Sequence, residues 1–151
     1  MSEPTQLTRI FSQIEIAEKP QLIVAVQLHT YAVDVEAGSE PVSIRALALI
    51  DTGASKTCIC PRLLDQLQCE RYELRRLAGS TGEDEVYQRF VSLDMLDADG
   101  VPFARFDDVE VIEFRSRDHD PYKVLLGMDL LGQFDLIQIR GFEVSFGKPQ
   151  A

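Results

Sequence analysis

The chain has few cysteines, few histidines and few basic residues, and each shortage closes off a class of function. Three cysteines are an odd count, and Cys58 and Cys60 stand too close together to bridge each other. Free thiols, buried by default, are therefore expected at Cys58, Cys60 and Cys69. The two histidines, His29 and His119, lie far from the cysteines in sequence and give no ligand spacing of the zinc kind, so neither metal nor cofactor is expected. With 15 basic against 25 acidic residues the formal charge is −10. Such a surface is repelled by phosphate backbones and anionic headgroups, which argues against nucleic acid or a membrane as partner. No apolar run approaches the roughly 20 residues that cross a bilayer, and no basic segment followed by an apolar core opens the chain. A cytoplasmic location is the expectation. Repeats and low-complexity tracts are absent too.

What is present is the composition of an ordinary globular domain, 45% apolar and 26% charged over 151 residues. Short β-forming runs separated by turn residues predict a mainly β fold. Residues 21–31 read as a first core strand and residues 33–42, with Gly38, Ser39 and Pro41, as a turn. The apolar run 46–50 reads as a strand buried on both faces, and residues 56–60 as another short strand. Pro61 opens a short helix reaching about Gln68, with Leu63, Leu64 and Leu67 on its apolar face. Residues 72–77 look extended, residues 79–82 form a tight connection, and residues 86–96 resume as one strand. Asp97 and Asp99 mark a polar turn; a calcium loop counted from Asp97 would need Glu where Asp108 stands. One or two strands follow in 101–114, then an exposed loop over 115–123. Residues 124–131 are an apolar strand stopped by Gly127 and restarted as a short helix. A hairpin over 134–146 turns at Arg140 and Gly141. Residues 1–20, with Ile10, Ile14 and Ile16, are expected to form an arm or edge strand beside a domain over 21–151.

The chemistry centres on Asp51. A carboxylate stands where an apolar strand stops, followed by Thr52 and Gly53, whose turn can take backbone conformations closed to other residues and hold the acid rigidly. A fixed acid in an apolar setting is the raw material of general acid–base catalysis.

Ala48-Leu49-Ile50-Asp51-Thr52-Gly53-Ala54-Ser55 resembles the catalytic motif of retropepsin-type aspartic proteases, the single-domain relatives of the two-lobed pepsins. Leu125-Leu126-Gly127-Met128-Asp129-Leu130-Leu131 resembles their second motif. Leu77-Ala78-Gly79-Ser80-Thr81-Gly82 between them resembles the flap over the substrate. The similarity runs over residues 21–147. It implies a closed pepsin-like β-barrel with one or two short helices, acting as a homodimer, and an endopeptidase for peptide or protein substrates. Because the chemistry uses two carboxylates sharing one proton and this chain has one Asp-Thr-Gly, the second acid would be Asp51 of another copy.

The resemblance also implies roles. Asp51, Thr52 and Gly53 would be catalytic, with Thr52 bonding across the twofold axis and the Gly53 N–H approaching the carboxylate. Ala54, Gly79, Ser80, Thr81 and Gly82 would contact an extended peptide. Two places depart from the pattern. Met128 and Asp129 follow Gly127 where viral relatives often carry an arginine brace, and Asp129 is expected to cap the short helix. Ala54 replaces a serine frequent in two-lobed members and cannot donate to the carboxylate, so activity is expected to reach mildly acidic or neutral pH. A non-catalytic module with the same fold, serving dimerisation or peptide capture, is the rival reading, and fold alone does not separate the two.

Overall fold

The computed structural model describes residues 7–11, 15–16, 19–79, 82–115, 121–141 and 143–149. In chain order the elements are β1 Thr8–Phe11, β2 Glu15–Ile16, β3 Lys19–Pro20, β4 Ile23–Thr30, α1 Ala32–Glu36, β5 Ser43–Ile50, β6 Cys58–Ile59, α2 Pro61–Gln66, β7 Leu74–Gly79, β8 Gly82–Tyr87, β9 Arg89–Leu96, β10 Pro102–Glu113, β11 Val124–Leu126, α3 Met128–Leu131, β12 Ile137–Arg140 and β13 Glu143–Phe146.

Six strands close a mixed barrel in the order β10-β6-β11-β5-β4-β9. The β4–β5, β4–β9 and β9–β10 pairs are antiparallel, whereas β5–β11 and β6–β10 are parallel. Inward side chains such as Val26, Leu28, Ala48, Leu93, Met95 and Leu126 fill the barrel, and Leu64 of α2 and Leu131 of α3 join the same core. Each Val, Leu or Met among them contributes about 1.5–3 kcal/mol on burial. At one end Phe134 and Phe146, with ring centroids 5.0 Å apart, pack under the sheet β1-β13-β12. Thus β1 is an edge strand, paired with β13 of its own chain. The barrel wall also carries a polar tie. The His29 ring lies 2.7 Å from both Ser43 and Asp94, and Asp94 accepts a further bond from Arg105 at 3.3 Å, joining four strands. An ionised Asp94 accepts from Nε2–H, so in the neutral ring Nδ1 accepts from the exposed Ser43 hydroxyl.

Three expectations need correction. The described residues hold three short helices, not one or two, because part of the 33–42 turn is the single-turn helix α1. Periodicity could not reveal it. Its buried Asp34 accepts the Glu70 N–H at 3.2 Å and the Tyr72 hydroxyl, and Gly38 ends the turn at φ +115°. The expected strand 86–96 is two strands in two sheets. It breaks at Gln88, whose neighbour Arg89 is buried with its guanidinium 2.8 Å from Asp65 and 3.1 Å from Glu113. The strand before Asp51 is buried on one face only: Ala48 and Ile50 point inward, while Leu47 and Leu49 are half covered on the outer wall. The one or two strands expected in 101–114 are one, β10, which bends at two irregularities of register.

Candidate active site

Asp51 is held by backbone before any side chain acts. Its N–H donates to the Leu126 carbonyl at 3.0 Å, and its own carbonyl accepts the Ala54 N–H at 3.2 Å, closing the turn. The Gly53 N–H donates to Asp51 Oδ1 at 3.0 Å. A Cβ on Gly53 would sit 3.3 Å from that oxygen, tighter than an ordinary contact, so glycine suits the bond. Thr52 and Gly53 are exposed at the tip of the turn, and Ala54 is half-buried.

The second motif clamps the first from behind. Met128 and Asp129 donate their N–H groups to the carbonyls of Ala54 at 2.8 Å and Ser55 at 3.2 Å. Thr57, wholly buried, donates its hydroxyl to Asp129 Oδ1 at 2.8 Å and its N–H to Asp129 Oδ2 at 3.0 Å. The same hydroxyl oxygen accepts the Gly127 N–H at 3.2 Å. Close approach explains the glycine. A Cβ at Gly127 would lie 2.5 Å from the Lys56 carbonyl carbon and 2.6 Å from its oxygen, both backbone atoms. The φ of Gly127 is −91°, so space and not backbone conformation excludes a side chain.

Asp129 does not take the capping position expected of it, which Gly127 holds with no side-chain cap bond; it lies in the first turn of α3. It accepts the Leu130 N–H at 2.9 Å, but its two oxygens also fasten the segment that follows Asp51. Thr57 carried no signal that sequence reading used; its place six residues after Asp51 and its short hydroxyl, able to donate and accept at once, are what a buried clamp needs. Cys58 sits next to it. Burial, then the charges of Asp129 and Asp51, push its thiol up to about 11, so at neutral pH it is a protonated thiol and a poor nucleophile. Cys60 and Cys69 are free as well, and burial takes the Cys69 thiol up to about 12. Among the described residues no cluster of three His, Cys, Asp or Glu side chains could hold a metal ion.

The strands β7 and β8 form a separate two-stranded ribbon that ends on the pair Gly79 and Gly82. Ser80 and Thr81, expected to touch substrate, lie outside the described residues. A bridging carboxylate links the ribbon to the segment after Asp51. Glu110 of β10 stands 3.6 Å from Lys56 and 3.7 Å from Arg75 of β7. No helix among the described residues is long and apolar enough to cross a membrane.

A family model described as aspartyl protease matches residues 33–130, a span that carries the Asp51 turn, the ribbon and the β11–α3 clamp. The chain belongs to the aspartyl protease family. Within that family its fold is the retropepsin-like one. The crystal structure of a retropepsin-like aspartic protease from Rickettsia conorii matches 100% of this chain with 99% of its own, at a TM-score of 0.58 and 16% identity. At that identity the likeness is one of fold. No curated protein matches the chain.

Proposed function

We propose that the chain is an aspartic endopeptidase whose active site forms between two copies, each contributing Asp51. The observation that carries this reading is the Asp51 turn: a carboxylate fixed by the Gly53 N–H, on a loop tied to β11 and α3, with its tip exposed. A single copy supplies one such acid. Two carboxylates in hydrogen-bonding reach cannot both ionise comfortably, so the pair retains one proton and titrates as a unit. The ionised member takes a proton from water as that water attacks the scissile carbonyl, and the neutral member gives its proton to the carbonyl oxygen. The tetrahedral intermediate then collapses with proton transfer to the leaving amine.

The exposed surface beside the turn suits a second copy. Thr52 and Gly53 face outward, and Met128, bonded to Ala54 through its N–H, leaves an apolar side chain 44% exposed at the same place. Thr52 would bond across the twofold axis. Gly79, Ser80, Thr81 and Gly82 would close over a peptide bound as an added strand, with Ala54 on the wall beside the acid.

Asp51→Asn is the test. Asn fills the same space and still accepts the Gly53 N–H, but neither ionises nor carries the proton. Cleavage of a peptide library should vanish while circular dichroism and sedimentation stay as in the wild type. Undiminished cleavage by the Asn variant would refute the reading, and peptide binding without cleavage by the wild type would favour the capture module.

A further inference from the structure

The ribbon of β7 and β8 pairs with no other strand among the described residues, and a two-stranded ribbon is at best marginally stable alone in water. Its order must come from its root. There the Tyr72 N–H donates to the Gln88 carbonyl at 2.9 Å and the Gln88 N–H donates to the Glu73 carbonyl at 2.7 Å, closing the two strands where they leave the barrel. Around this closure three rings meet. Tyr31, just before α1, stacks on Phe90 with centroids 5.0 Å apart, and Tyr72 stands edge-on to Phe90 at 5.5 Å and to Tyr31 at 6.5 Å. Beneath them lies Asp34, a wholly buried carboxylate that accepts the Glu70 N–H and the Tyr72 hydroxyl. A buried carboxylate left short of donors is costly, so Asp34 commits Tyr72 to one position.

Further ties fix the segments flanking α1 to the chain entering the ribbon. The Thr30 hydroxyl donates to Leu67 O at 2.9 Å, the Ser39 hydroxyl to Gln68 O at 3.0 Å, and the Glu40 N–H to the Gln68 side-chain oxygen at 3.0 Å. Above the root the side-chain contacts are different in kind. Arg76–Glu85 at 3.7 Å and Arg75–Glu110 at 3.7 Å are half-exposed ion pairs, and solvent screens them. Among the described residues the ribbon is thus anchored at one end by a part-buried hydrogen bond and an aromatic cluster, with exposed ion pairs beyond it.

We infer that Asp34 and Tyr72 are positioning residues for the ribbon: their hydrogen bond fixes its pivot at Tyr72 and Gln88, and so sets how readily the ribbon settles over bound peptide. The bearing on substrate rests on the proteolytic reading; the pivot itself does not. Tyr72→Phe keeps the ring and its packing and removes the hydroxyl alone, so it tests the bond without emptying the cluster.

Amide hydrogen exchange on the full chain reads the pivot without any need for activity. In Tyr72→Phe, amides of residues 74–79 and 82–87 should exchange several-fold faster, while those of β4 and β9 keep their wild-type rates. In Asp34→Asn the amide oxygen can still accept the Glu70 N–H while the amide NH2 donates to the Tyr72 phenol oxygen, so its ribbon should exchange at close to the wild-type rate. Unchanged ribbon exchange in Tyr72→Phe would overturn the inference, and so would an acceleration spread equally over the barrel, which would mean general loosening. If the chain cleaves peptides, KM should rise several-fold in Tyr72→Phe with kcat nearly kept. Loss in kcat alone would contradict the assigned role. Faster ribbon exchange in a chain that cuts no peptide would leave the pivot standing and remove the proteolytic reading.

Discussion

The Asp51 turn and the β7–β8 ribbon both contribute to the proposed site, yet they are held in opposite ways. The turn is fastened to its own barrel by β11 and α3, through backbone bonds from Met128 and Asp129 and a buried threonine between them. The ribbon pairs with itself and is pinned at its root. A reacting acid must keep its geometry to a fraction of an ångström, while a cover has to move aside for an extended peptide to enter. On the proteolytic reading the chain serves both needs by tying the turn down through buried hydrogen bonds, while the ribbon is pinned at its root alone and carries screened ion pairs beyond it.

The comparison can be broken hardest at Gly127. Gly127→Ala drives a methyl into the Lys56 backbone, 2.5 Å away, where nothing flexible can yield. Overpacking of this kind costs about 3 kcal/mol. Chemical denaturation should show that loss, and the Asp51 turn should lose activity even under conditions where the chain stays folded. Next comes Thr57→Val, which keeps shape and removes the hydroxyl that serves both Asp129 and Gly127. Two buried partners lose a bond, so a stability loss of about 1–3 kcal/mol is expected. A loss under about 0.5 kcal/mol, within the spread of neutral surface changes, would mean that the clamp is incidental.

Cys58 reports on the rigid side without a large perturbation. Its thiol, raised to about 11 from 9.0 by burial and by the two nearby carboxylates, should react with iodoacetamide at pH 8 about a hundredfold more slowly than in the unfolded chain. The raised value means that the neutral form is favoured in the fold, so the stabilising difference holds below the unfolded value near 9 and disappears as pH climbs through about 11. Mass-spectrometric rates across pH 7–11 check this, and a native rate equal to the unfolded one would show that the turn opens freely. The smallest effect belongs to the ribbon. Glu110→Gln removes both ion pairs, to Lys56 and to Arg75, which are about half exposed on the cationic side, so stability should change by about 0.5 kcal/mol or less and added salt should abolish the difference.

Where local sequence dictates structure, it was readable. The strand pattern of β4, β5 and β11, Pro61 at the start of α2, and the turn at Gly141, with φ +58°, follow from residue type within a few positions. The acid at the end of β5 and the glycine before α3 were legible for the same reason. What escaped depends on partners distant in sequence. α1 exists because Asp34 reaches Glu70 and Tyr72, and β8 and β9 separate because Arg89 is drawn to Asp65 and Glu113. Thr57 and Asp129 meet across 72 positions, and the capping expected of Asp129, a position Gly127 holds instead, gave no hint of that bond. A hydrogen bond between remote residues leaves no period in either segment.

The central claim, one site from two copies, is tested most directly by mixing wild-type chains with an excess of Asp51→Asn chains until differently tagged subunits are recovered together. A mixed pair holds a lone ionisable acid and cannot share a proton. Peptidase activity should therefore fall as the square of the wild-type fraction. A linear fall, with exchange demonstrated, would contradict the shared site and require a second acid within the same chain.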